Sequence, residues 1–277
     1  MKKNRIKPSR VLLHVILICG AVFMLLPFTW MVLTSLKTVT ESTAMNPFRW
    51  FPEIPQWSNY SDVWSSYNFL RIYSNTFQMI FFRVLCAVLF SSMAGYAFAR
   101  LQFPGRDLLF GLVLFQMMVP SQIFIIPQYL MIDKLGMRNT VFALVFPGLV
   151  SAFGTFLLRQ FFKNLPADIE ESAILDGCNP WQVYWKIELP LVRSGLVALA
   201  IFTALFAFKD LMWPLIVNTD AEASTLASVL SRIQSANFVN WPKLMAAGVL
   251  SIWPMMVLYI IFQKKFIEGI STTGSKL

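Results

Sequence analysis

The sequence predicts an all-α integral membrane protein with six transmembrane helices, on three observations: its composition, the length of its apolar runs, and the cations between them. Residues of the AVILMFWYC set make up 57% of the 277 and charged residues 13%, against about 45–50% and about 25% in soluble domains. A soluble fold could not hide that much apolar surface. The runs reach the roughly 20 residues that a bilayer crossing requires. A formal charge of +9 would suit nucleic acid only if the cations clustered on a polar face. Here they lie between apolar runs, so nucleic-acid binding is not expected.

The first span, 11–35, follows a basic start of Lys2, Lys3, Arg5, Lys7 and Arg10. Such a start also opens a secretory signal, but this run exceeds the roughly 7–15 residues of a signal core and no small-residue cleavage site follows. It reads as a retained helix. The other spans are 76–99, 108–131, 140–161, 195–217 and 244–262, giving a single transmembrane domain over 1–277. Cations fix the sides. Fourteen (Lys2, Lys3, Arg5, Lys7, Arg10, Arg100, Arg106, Arg159, Lys163, Lys186, Arg193, Lys264, Lys265 and Lys276) fall on the side of the N-terminus. Seven (Lys37, Arg49, Arg71, Lys134, Arg138, Arg232 and Lys243) fall opposite, which places both termini in the cytoplasm. Trp30, Trp50, Trp57, Trp64, Trp213 and Trp241 then gather at or beyond the outer boundary, where amphipathic rings are favoured. The long outer loop that holds Trp57, Tyr60 and Trp64 is expected to pack against the outer face.

Prolines recur in or near the spans at Pro27, Pro120, Pro127, Pro147, Pro214 and Pro254. Each frees a backbone carbonyl that neighbouring groups must satisfy. Cys19, Cys86 and Cys178 are far apart and indicate neither a disulfide framework nor a metal site. One histidine, His14, leaves no catalytic set in the membrane, and no enzymatic activity is expected.

The loop 164–190, cytoplasmic in this topology, is unusually structured. Pro166 followed by Asp168, Glu170 and Glu171 starts a helix, with proline in its first turn and acids at its positive end. Gly177 ends it, and a second helix runs from Pro180 to Pro190 with Trp181, Tyr184 and Trp185 near one face. Two readings fit that aromatic face: a docking surface for a partner, or an amphipathic helix lying on the membrane.

The same loop resembles the EAA motif of ABC importer permeases: E-A-A, three residues, G, nine residues, I, one residue, L-P. Its positions here are Glu171, Ser172, Ala173, Gly177, Ile187, Leu189 and Pro190, with Ser172 for alanine as the one departure. Further stretches, 94–106, 118–127, 156–162 and 213–220, resemble MalG-type permease subunits of binding-protein-dependent carbohydrate importers. That resemblance implies a type I ABC importer permease fold in a bacterial cell membrane, with 164–190 as the coupling loop seated in a cytoplasmic ATPase. Glu171, Ala173, Gly177 and the Trp181–Trp185 face would make that contact. It also implies a second homologous permease, an ATPase dimer that holds ATP and Mg, and an extracytoplasmic solute-binding protein. No cofactor is expected on this chain. The stretch 269–276 comes near a phosphate-binding loop but ends Ser275-Lys276, in the wrong order. The cargo implied is a sugar or oligosaccharide, with glycerol phosphate or a related polyol as runner-up; extra cations near the cavity would favour the latter. A secondary transporter or channel is the remote alternative, and would have no use for the EAA loop.

The charges of Arg83, Lys209 and Asp210, inside spans, need an account. Arg83 and Asp210 lie at matching depths, about 10–12 Å below the outer ends of their helices, which would allow a direct pair. The competing account gives Arg83 carbonyls freed by proline, and Asp210 hydroxyls or water. The family usually carries a tryptophan-asparagine-acid run before the position of Trp213, where this chain has Phe208-Lys209-Asp210. Lys209 is expected to snorkel or to line the pathway.

Overall fold

A computed structural model describes residues 8–46, 48–235 and 239–274. In chain order the helices are α1 (Pro8–Ser35), α2 (Val39–Thr43), α3 (Ser58–Ser66), α4 (Phe69–Arg100), α5 (Arg106–Met118), α6 (Ile125–Lys134), α7 (Val141–Val145), α8 (Ala152–Lys163) and α9 (Ala167–Leu175). They continue with α10 (Pro180–Gln182), α11 (Leu189–Leu191), α12 (Arg193–Lys209), α13 (Met212–Val217), α14 (Leu226–Gln234) and α15 (Trp241–Gly274). No strand occurs among the described residues. The chain falls into two compact units, Met1–Tyr67 with Leu230–Met255, and Asn68–Val229 with Met256–Leu277.

In the first unit, α1 exposes apolar side chains around its whole circumference from Val11 to Phe28. Such a surface is stable only in an apolar surrounding. The chain after it folds back on its end: Ser35 Oγ and Tyr60 Oη are 2.6 Å apart, and Asn59 Nδ2 donates to the carbonyls of Ser35 and Lys37. Lys37 is fully buried, donates to the Arg49 carbonyl at 2.6 Å, and lies 4.2 Å from the Trp30 ring centroid. Asn59 and Tyr60 therefore anchor the outer loop, whereas Trp57 and Trp64, expected to pack, are exposed on this chain.

The second unit is built on α4, which packs against α8 and α12. It starts at Phe69, well before the expected Thr76, because Asn68 caps it by accepting from the Arg71 N–H at 3.3 Å. Its 32 residues reach about 48 Å at about 1.5 Å per residue, well past a hydrocarbon core of about 30 Å.

Three of the expected straight spans are broken, and proline explains each break. Over 108–131 the chain turns by 99° between α5 and the segment from Ser121, since Val119, ahead of Pro120, is held extended. Over 140–161 it bends by 49° between α7, with its tighter extension to Gly148, and α8. Pro147 lies in the tight turn just ahead of that break. Over 195–217 α12 stops at Lys209 and α13 begins at Met212, with Asp210 extended between them. Pro214 cannot donate to the Asp210 carbonyl and its ring crowds it. Pro27 and Pro254, by contrast, lie inside α1 and α15. Two helices, 11–35 and 69–100, are alone long and apolar enough to cross a bilayer, and bent pairs raise the number to five among the described residues. The 34-residue α15 runs over the expected sixth span, 244–262.

Candidate functional site

Two sites emerge in the second unit. The first is the loop 164–190. Helix α9 follows directly on Pro166, with Asp168 and Glu170 in its first turn. It ends where Gly177 takes a positive φ of 84°, letting the Cys178 N–H bond the Ala173 carbonyl at 3.0 Å. A left-handed residue after the last turn is what glycine supplies most cheaply. Asn179 and Gln182 then cap the second helix reciprocally, each side-chain oxygen accepting the other's backbone N–H at 2.9 Å. From Val183 to Glu188 that helix widens into a π turn and continues through Leu191, so Pro190 does not close it as expected.

The loop has an inner and an outer side. Inward, Tyr184 is buried, with its hydroxyl 2.7 Å from Ser92 Oγ of α4 and its ring 5.2 Å from that of Tyr96. Ala173 is also buried and Leu189 packs on the same core. Of the expected docking face, Ala173 and Tyr184 are therefore buried within this chain, and Tyr184 holds the loop to α4 and α8. Outward stand Ile174, Leu175 (88% exposed), Trp181 and Trp185, beside exposed Glu171, Ser172, Gly177 and Pro190. Ile187 is half-buried.

A charged cluster unforeseen in the sequence fixes this orientation. Arg100, the last residue of α4, pairs with Glu188 at 2.7 Å and Glu170 at 3.5 Å, and donates to the Leu165 carbonyl at 3.1 Å. One guanidinium thereby joins both helices of the loop to α4. Glu188 is 1% exposed. Burial pushes its carboxyl up to about 7; Arg100 opposes that and Glu170 adds to it. The available signal was an acid set between Ile187 and Leu189 in an otherwise apolar stretch, opposite a helix-ending arginine.

The second site surrounds Arg83 on α4. Its guanidinium makes the direct pair, Nη1 donating to Asp210 Oδ2 at 2.8 Å, and it also binds a carbonyl, though not one freed by proline: Nε and Nη2 donate to the Leu144 carbonyl at 2.8 and 2.5 Å. The carbonyl that Pro147 deprives of a partner is that of Ala143, four residues earlier, and the Trp213 indole N–H takes it at 2.7 Å. Asp210 Oδ1 also accepts the Trp213 backbone N–H at 3.4 Å. Gly148 lets the arginine pass, since a Cβ there would stand 2.7 Å from Arg83 Cγ. Beside this knot two cavities of about 550 and 870 Å³ share Arg83, Ser121, Gln122, Gln128, Pro147 and Phe206. Lys209 and Asp210 line the smaller one.

Comparison with known proteins agrees with this architecture. The family model for the "binding-protein-dependent transport system inner membrane component" matches residues 87–271. The arabinooligosaccharides transport system permease AraQ of Halalkalibacterium halodurans is 36% identical over 70% of this chain and 69% of its own. The sn-glycerol-3-phosphate transport system permease UgpE of Yersinia enterocolitica is 30% identical over 93% of this chain and 94% of its own. A crystal structure of a bacterial ABC transporter that imports the acidic polysaccharide alginate has a chain with the same fold. Its TM-score is 0.77 at 23% identity, covering 95% of this chain and 99% of that one. The chain belongs to the family of binding-protein-dependent transport system inner membrane components, the permease subunits of ABC importers.

Proposed function

We propose that this chain is one of two different permeases in a bacterial importer for a sugar or oligosaccharide, driven by ATP that a separate ATPase dimer hydrolyses. It holds no ATPase site or cofactor of its own, and ATP and Mg belong to that partner. An extracytoplasmic binding protein delivers the solute, and both termini face the cytoplasm. The observation that carries this reading is the loop 164–190, which turns Ile174, Leu175, Trp181 and Trp185 outward while Arg100 and Tyr184 tie it to α4. An apolar face so rigidly backed suits a partner's groove better than a lipid surface. It can pass ATPase closure to α4 as a displacement. Likeness to AraQ supports the saccharide cargo, and likeness to UgpE supports glycerol phosphate as the second reading. The test is reconstitution in proteoliposomes with the partner permease, ATPase and binding protein. ATP-dependent solute uptake that Trp181→Ala with Leu175→Ser abolishes, with insertion intact, is the expected result. Undiminished uptake by that double variant would overturn the coupling role.

A further inference from the structure

Resting on the importer reading above, we propose that the cavity beside Arg83 receives a hydroxyl-rich solute bearing an acidic group, a carboxylate or phosphate, and that Lys209 binds that group. The charges of the lining lead there. Its ionisable residues are Arg83, Lys209 and Asp210. Asp210 is committed, accepting from Arg83 with one oxygen and from the Trp213 backbone N–H with the other. Arg83 is committed as well, to Asp210 and twice to the Leu144 carbonyl, with its side chain 8% exposed. Lys209 is exposed, and among the described residues no carboxylate besides Asp210 lines either cavity. Its neighbour Asp210, just past the end of α12, is turned to Arg83.

The cavity therefore carries one cation more than its anions balance. The C-terminal end of α12, where Lys209 sits, offsets about half a charge at most. The side chains of Ile125, Phe206, Leu211 and Met212 in the lining are apolar and supply no counter-charge. A neutral sugar leaves that charge unmet; an acidic group answers it with a charge-assisted hydrogen bond. Ser121, Gln122 and Gln128 supply donors and acceptors for hydroxyls. The volume of about 550 Å³ lies within the range of small-ligand sites, roughly 300–1,000 Å³.

The assembled transporter, without its binding protein, is to be placed in phosphatidylcholine nanodiscs. Binding of galacturonate, glycerol 3-phosphate and galactose is then measured at low and high salt. The acidic probes are expected to bind about tenfold or more tighter than galactose, the scale of one hydrogen bond to a charged group, and to weaken with salt. Lys209→Gln should erase the difference and Lys209→Arg should keep it. Galactose binding as tightly as galacturonate, or a preference that survives Lys209→Gln, overturns the proposal. If added phosphatidylglycerol abolishes the response to galacturonate, the site holds a lipid headgroup and the proposal is likewise overturned. Should Lys209→Gln fail to assemble, the galacturonate-to-galactose ratio and its salt dependence in the unmodified complex decide. ATP-driven uptake in proteoliposomes tests the importer reading separately: efficient uptake of a neutral sugar with no acid preference keeps that reading and sinks this one.

Discussion

Replacing Arg83 by methionine removes three donated hydrogen bonds and the charge that faces Asp210. Removing one partner of a buried ion pair costs about 3–5 kcal/mol. Asp210, with a side chain 22% exposed, can recover some hydration, which favours the lower end. The Leu144 carbonyl is left without its guanidinium donors, adding about 1–3 kcal/mol, although terms within one network do not simply add. The working figure is about 4 kcal/mol, enough to deplete assembled transporter severely in a protein of ordinary stability. Asp210→Asn should cost less, about 1–2 kcal/mol, because an amide oxygen still accepts from Arg83 and both Leu144 bonds remain. Combining Arg83→Asp with Asp210→Arg restores the attraction between the two sites. It does not restore the bonds to Leu144, since a carboxylate at position 83 cannot donate. Rescue should therefore be partial. Thermal unfolding and yield of the purified complex, measured for the four proteins, give the comparison. Arg83→Met losing no more than Asp210→Asn, or the double variant returning fully, would refute the three-way bond.

Gly148→Ala should reproduce part of that loss without touching a charge, because the new Cβ would stand 2.7 Å from Arg83 Cγ; thermal unfolding of the complex checks it. At Gly177, where a Cβ would meet nothing within 4 Å, the cost of substitution is the positive φ alone. Gly177→Val should lower coupled uptake per ATP hydrolysed while Gly177→Asn, tolerant of that region, stays close to normal. Glu188 titrates higher in the folded protein, at about 7 against 4.5. Its contribution is therefore complete below about 4.5 and is lost as pH rises through about 7. Thermal stability should fall across that window in the natural protein, and Glu188→Gln should flatten this component.

The apolar runs and the two short helices of 164–190 were legible because they depend on residues close in sequence. Proline positions 120, 147 and 214 marked where spans break, but their angles, 99° at the first and 49° at the second, depend on what packs inside the bend. The Arg83–Asp210 approach could be framed from matching depths. The share of the guanidinium taken by Leu144 could not, because a carbonyl carries no sequence signal. Tyr184 looked like part of an outward aromatic face from its spacing alone, and a hydroxyl 92 residues earlier, Ser92, draws it inward. Likewise Arg100, Glu170 and Glu188 come from three segments whose meeting only the tertiary fold dictates.

The bond from the Trp213 indole to the Ala143 carbonyl has a bearing on descent. Proline at 147 creates the unmet acceptor, and tryptophan at 213 answers it. Neither is neutral to lose alone: without the tryptophan a buried carbonyl goes unpaired, and without the proline a helical N–H competes with the indole for one oxygen. The two positions, separated by two helix breaks and the whole coupling loop, should therefore drift together among relatives. A lineage that straightens the 140–161 span is the one free to put another residue at 213.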